Sequence, residues 1–245
     1  MNKNTRTILQ TLTLLCVAAL TAAAHHGKDF LVASSCSTPH QGLTCAHVMT
    51  DYTRANDMMP STLLIMPGML YGFTKDLAGE FHGHVMHSDG SYDFESMAFE
   101  MRYRFLTERT GTAADFSVPI SIAAALEWEP FTHGGVNALT GTFIIGRSFG
   151  PVSIVGNVIA SRRFGSMDDM IDTRFAFGVR SLLSGELGTT VELASGEHDA
   201  PGTQLTLGLG GEIFSQWDLK LGARFTPDQG SVRFSGVQSM LMFTF

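Results

Sequence analysis

The chain has 245 residues, 44% of them hydrophobic and only 16% charged, which suits one sizeable domain or a closed barrel and excludes a disordered chain. Its formal net charge of −7 at pH 7 argues against nucleic acid and other polyanions as partners. After residue 24 no run approaches the roughly 18 apolar residues of a membrane-spanning helix, so a helical membrane protein is excluded.

Residues 1–24 read as a cleaved secretory signal. Lys3 and Arg6 supply the basic start, Ile8 to Leu20 the apolar run, and Ala22-Ala23-Ala24 the small-residue cleavage region. That run of thirteen residues is too short to span a bilayer as a helix, which needs about 20. Its removal takes away two basic residues and no acidic ones, so the mature chain is still more acidic. His25 and His26 then follow the cleavage point. With the new terminal amine they are candidate Cu(II) ligands, the alternative being a plain polar start. Residues 25–42 carry no strand pattern and read as a periplasmic N-terminal segment able to reach into a barrel. Cys16 leaves with the signal. Cys36 and Cys45 are candidates for a disulfide in an oxidising compartment, with two free thiols as the alternative.

From residue 43 to the end, apolar residues recur at every second position in segments separated by turn-rich joins, the period of a strand. In chain order the predicted strands are 43–54, 62–74, 78–88, 94–106, 115–128, 137–148, 151–163, 172–183, 186–195, 203–214, 216–226 and 232–245. The clearest is 94–106, where Met97, Phe99, Met101, Tyr103 and Phe105 share one face and Ala98, Glu100, Arg102 and Arg104 the other. Phe175, Phe177 and Val179 oppose Arg174, Ala176, Gly178 and Arg180 in the same way, and Trp217, Leu219, Leu221 and Phe225 oppose Asp218, Lys220 and Arg224.

A soluble sandwich also alternates. Three features favour a transmembrane barrel instead: strands long enough to cross a tilted bilayer path, aromatic residues such as Trp128, Trp217 and Phe225 near the ends of the apolar faces, and charge in mid-strand on the other faces. The expected fold is therefore an all-β, antiparallel, up-and-down transmembrane barrel of about 12 strands, which leaves both chain ends in the periplasm. Ten strands is the alternative count, because 43–54 alternates poorly and 107–114 is long for a periplasmic turn.

The end of the chain, Met240-Leu241-Met242-Phe243-Thr244-Phe245, resembles the terminal strand of Gram-negative outer-membrane proteins. Pro67-Gly68-Met69-Leu70-Tyr71-Gly72-Phe73-Thr74 with Asp76-Leu77, and Gly146-Arg147-Ser148-Phe149-Gly150, resemble hairpins of small transporter-like outer-membrane barrels, including the phenol-degradation-pathway group. The resemblance covers about residues 43–245. It implies an outer-membrane location, docking of the strand ending at Phe245 to the barrel-assembly machinery, and at most passage of small molecules; it brings no catalytic residues.

Strand parity puts Glu80, His82, His84, Glu100, Arg102, Arg104, Glu127, Arg174, Arg180, Glu192, Glu212, Asp218, Lys220 and Arg224 on lumen faces. The mixed signs indicate no strong ion selectivity. Glu80, His82 and His84 on one face either bind a divalent metal or join a charge-paired network filling the lumen. No His-x-Ser, Gly-x-Ser-x-Gly or His-Glu-x-x-His pattern points to an enzyme. The leading expectation is a narrow passive channel for small solutes. The alternatives are a closed structural or partner-docking barrel and, third, an outer-membrane hydrolase.

Overall fold

In the computed structural model the described residues are 28–55, 60–108, 119–130, 137–164, 171–185, 187–195, 202–228 and 231–245. They form twelve strands: β1 Thr44–Thr53, β2 Thr62–Gly72, β3 Leu77–Ser88, β4 Ser91–Leu106, β5 Ser121–Glu129, β6 Asn137–Phe149, β7 Val152–Phe164, β8 Ile171–Ser184, β9 Leu187–Ser195, β10 Thr203–Phe214, β11 Trp217–Asp228 and β12 Ser231–Thr244. Each pairs antiparallel with its sequence neighbours. β1 also pairs with β12, from Cys45 opposite Thr244 to Thr53 opposite Gly236, which closes the sheet. Twelve strands, not ten, is the observed count, and closure removes every sheet edge that would otherwise leave backbone donors unmatched in hydrocarbon.

Three boundaries differ from the alternation. β4 begins at Ser91, because Asp89 and Gly90, at φ 49° and 84°, make the tight two-residue turn that a hairpin prefers. β11 runs through Pro227 to Asp228, so its join to β12 is only residues 229–230; proline is tolerated there because it sits at the strand's end. β5 begins at Ser121, just after Pro119, while the earlier part of the predicted strand, residues 115–118, lies outside the described residues.

Parity places the two faces as a membrane barrel requires. Met97, Phe99, Met101, Tyr103, Phe175, Phe177, Leu207, Leu209 and Leu221 are exposed on the outside, whereas Ala98, Arg102, Glu192, Asp218, Lys220 and Arg224 are buried inside. So large an exposed apolar surface is untenable in water and natural against lipid. At the end of the barrel where β1 begins and β12 ends, aromatic pairs ring the wall: Tyr71 with Phe73 (5.0 Å), Tyr103 with Phe105 (4.9 Å) and Trp217 with Phe243 (4.8 Å). Such belts sit at membrane interfaces.

The inner face is not uniform. β12, β1 and β2 present Met240, Met242, Cys45, Met49, Leu70 and Met66. β3, β4 and β5 present Glu80, His82, His84, Glu100, Arg102 and Glu127, and much of the arc from β6 to β10 is small, with Ala138, Ala176, Gly178 and Gly208.

That small arc makes room for the chain's own N-terminal segment. Residues 28–42, the described part of the segment read as able to reach into a barrel, run through the lumen. Their partners lie on strands all around the circle, including β3, β5, β7, β8, β9 and β11, which only an interior position allows. Phe30 rests on Gly178, where an added Cβ would lie 2.8 Å from its ring, and Leu31 rests on Gly222, where the distance would be 2.6 Å. Phe30 packs with Val155 and Ala176. Leu31 packs with Cys45, Leu70, Ala78, Met240 and Met242.

The expected Cys36–Cys45 disulfide is not formed; both are free, buried thiols. The reason is the path of the segment. It carries Cys36 to β5 and β6, where Sγ is 3.4 Å from the Ser121 carbonyl and packs with Ala123 and Ile144, while Cys45 sits on β1 beside Thr244. The predicted signal (residues 1–24), His25 and His26 lie outside the described residues.

Candidate functional site

The site is the lumen and the segment held in it. Glu192 of β9 is the principal anchor. Its two carboxylate oxygens accept the backbone N–H groups of Leu31 (3.0 Å), Val32 (2.7 Å) and Ala33 (2.8 Å). Three donors that no sheet could satisfy are thereby met by one charge, the kind of hydrogen bond that is about twice as strong as a neutral one. Asn157 of β7 grips the next residue on both sides, accepting from Ser34 N at 2.7 Å and donating to Ser34 O at 2.9 Å.

Charge pairs complete the hold. Asp29 meets Arg180 of β8 at 3.0 Å and accepts from the Ser37 hydroxyl. Lys28 meets Glu80 of β3 at 2.7 Å, and Lys220 of β11, itself 3.0 Å from Asp218, donates to the Lys28 carbonyl. Closer to the chain-terminus end, the Thr38 hydroxyl donates to the Lys75 carbonyl in the β2–β3 turn.

Glu80 is a hub. Besides Lys28, it lies 3.3 Å from both His47 Nε2 and His82 Nδ1, and His82 Nε2 lies 3.7 Å from Glu127. Arg102 pairs with Glu100 at 2.7 Å and Arg104 with Asp76 at 3.1 Å. Between the segment and strands β1 to β5 a polar cavity of about 190 Å³ remains, fronted by Lys28, His47, Glu80, His82, Arg102 and Glu127.

Farther from the termini, Arg224 binds Asp51 at 2.7 Å and Arg174 lies 3.7 Å from Asp172. Glu212 stands opposite Asp218 near the start of β11. The fourteen residues assigned to the lumen by parity do not make one site: Glu80, His82, Glu100, Arg102 and Glu127 share the cavity, Glu192, Arg180 and Lys220 hold the segment, and His84, Arg104, Arg174, Asp218 and Arg224 pair elsewhere along the wall. Among the described residues no group of three or more His, Cys, Asp or Glu side chains is arranged to hold a metal ion; Glu80 and His82 pair with each other and His84 pairs with Glu129.

His84, Ser96 and Glu129 also come together, and a hydroxyl, an imidazole and a carboxylate invite comparison with acyl-transfer triads. Ser96 Oγ and Glu129 Oε1 both approach the same nitrogen, His84 Nδ1, at 2.9 and 2.8 Å. A relay needs the acid on one ring nitrogen and the nucleophile on the other. The grouping is a hydrogen-bonded knot, not that relay.

Cys36 lies on the segment, outside the membrane-spanning strands. Burial pushes its thiol up to about 11, which keeps it protonated and poorly nucleophilic at neutral pH.

Sequence reasoning missed Lys28, Asp29, His47, Asp51, Glu129 and Asn157. Asn157 carried a usable signal, since it has inward parity on β7 between Val155 and Ile159. Lys28 and Asp29 carried none, because a segment without periodicity does not say which way its side chains point.

No family model matches the chain, and no curated protein matches it in sequence. Solved structures do. The KdgM porin superposes with a TM-score of 0.57 at 8% identity over 82% of this chain and 99% of its own. An outer-membrane channel from Pseudomonas putida F1 gives 0.55 at 10% identity over 86% and 98%, and the NanC porin 0.55 at 8% over 82% and 98%. At such identities the likeness is one of fold: this chain's closed twelve-stranded barrel superposes on solved outer-membrane porins and a channel.

Proposed function

We propose that the protein is a passive channel for small solutes in the outer membrane of a Gram-negative bacterium, exported by the signal at residues 1–24 and throttled by its own residues 28–42. One observation carries this reading. The charged lumen is crossed by a separate, strandless stretch of chain rather than filled by the side chains of the wall, and a polar cavity of about 190 Å³ persists beside it. An element that is not a strand of the sheet can leave the lumen without breaking the ladder of the barrel. With β1 beginning and β12 ending at the periplasmic side, the segment leads into the lumen from that side, and the strand ending at Phe245 is left to engage the assembly machinery. The likeness to channels of the same architecture supports the reading without naming a solute.

The closed-barrel reading also has an observation in its favour, the density of contacts that hold the segment, with Glu192 alone accepting three backbone donors. Planar-bilayer recording separates the two. The channel reading expects small currents from the intact protein and several-fold larger ones when Glu192→Ala and Asn157→Ala release the segment. Folded variants, judged by heat-dependent gel mobility, that still pass no current would establish the closed barrel. Lipid hydrolysis by the purified protein would revive the enzyme reading.

A further inference from the structure

Three methionines stand in line on the inner wall. Met49 of β1 is directly opposite Met240 of β12 on one side and Met66 of β2 on the other. Residues so paired have Cβ atoms about 4.5–5.5 Å apart, which brings three flexible thioethers to one level of the lumen. The next inward residue of β1 toward the chain termini is His47, whose neighbours are Met242 and Gly68. Its side chain is only 1% exposed, Nδ1 has no hydrogen-bond partner, and Nε2 has the 3.3 Å approach to Glu80 and no other. Gly68 makes room for the ring, since a Cβ there would lie 2.7 Å from it. Met49, Met66 and His47 all front the 190 Å³ cavity, and Met240 is fully buried beside them.

A buried imidazole whose one polar neighbour is a shared carboxylate, set beside three thioethers, is an unusual lining for a charge-paired lumen. Methionine sulfur is a soft donor that selects Cu(I)-like ions over hard divalent ones. We propose that Met49, Met66, Met240 and His47 form a site for a soft monovalent cation of the Cu(I)/Ag(I) class, in the cavity between the wall and the N-terminal segment. The four donors are neutral, and Glu80 supplies the counter-charge. A cation already stands at its edge: the Lys28 ammonium is 4.0 Å from Met49 Sδ and 2.7 Å from Glu80 Oε1. An ion bound there displaces Lys28 from Glu80, and so weakens one hold on the segment. The site does not depend on whether the barrel conducts solute.

The test uses the full exported chain in detergent with Cys36→Ser and Cys45→Ser, so that no thiolate competes, and Ag(I) as a redox-inert probe. With methionine methyl groups labelled with carbon-13, the signals of Met49, Met66 and Met240 should shift together and saturate at one equivalent. Met49→Leu with Met66→Leu, a volume-conserving pair whose folding is checked by heat-dependent gel mobility, should lower affinity by at least about tenfold, the loss that even outer-shell partners of a metal can cause. Lys28→Gln should raise it. The proposal is overturned if those three signals do not move, if outward-facing Met69 and Met101 respond at the same concentration, if the double leucine variant binds as before, or if His25→Ala with His26→Ala abolishes the binding instead.

Discussion

The wall and the segment inside it are stabilised by opposite means. In the wall every strand is hydrogen-bonded on both sides and its apolar face is repeated at every second residue, so each residue's placement is enforced by its neighbours. Residues 28–42 have almost no ladder. Their backbone is satisfied in large part by side chains reaching from distant strands, and two apolar side chains, Phe30 and Leu31, seat on glycines. The wall is therefore insensitive to any one contact, and the segment depends on a few.

The largest expected effect on the stability of the barrel itself tests the wall. Met101→Arg puts a guanidinium on the lipid face near mid-strand and should destabilise the barrel by about 2–4 kcal/mol. Thr140→Arg, inward and beside Ser161 (3.0 Å), should cost far less. Urea unfolding in lipid vesicles compares the two, and equal costs would mean that the faces are misassigned. Ala98 would make a poor inward control, because it is wholly buried and an arginine there would be crowded.

The next effect belongs to the segment. Glu192→Ala orphans the three N–H groups of Leu31, Val32 and Ala33, and each buried unsatisfied donor costs about 1–3 kcal/mol. The segment should come free while the barrel keeps its gel mobility, read as new protease cleavage within residues 28–42. Asn157→Ala removes two hydrogen bonds, each contributing about 0.5–1.5 kcal/mol, and should loosen the segment less. If either variant unfolded the barrel, wall and segment would be one cooperative unit, and the contrast drawn here would fail.

The smallest effect is chemical. With the Cys36 thiol raised to about 11, only about one thiol in a thousand is ionised at pH 8, against roughly a quarter for an ordinary cysteine. Maleimide labelling of Cys36 in a Cys45→Ser background should be slow at pH 8 and climb steadily toward pH 11. Release of the segment by Glu192→Ala should restore ordinary labelling, which makes the thiol a reporter of where the segment sits.

What the sequence alone determined is the wall. Alternation with period two, turn residues between segments and the aromatic strand ends pointed to an inside-out barrel of about twelve strands, with ten as the alternative that only closure excluded, and to the inward direction of residues such as Glu80, Arg102 and Glu192, because a strand's two faces are a local property of its register. What only the tertiary structure decided is how the lumen is used. Whether Glu192 lines an open pore or accepts three backbone donors, whether Cys36 meets Cys45 or Ser121, and whether Met49, Met66 and Met240 fall in line depend on closure of β1 against β12 and on the path of a segment without periodicity. Those contacts join residues from about 17 to about 200 positions apart, and no local pattern records a distance of that kind.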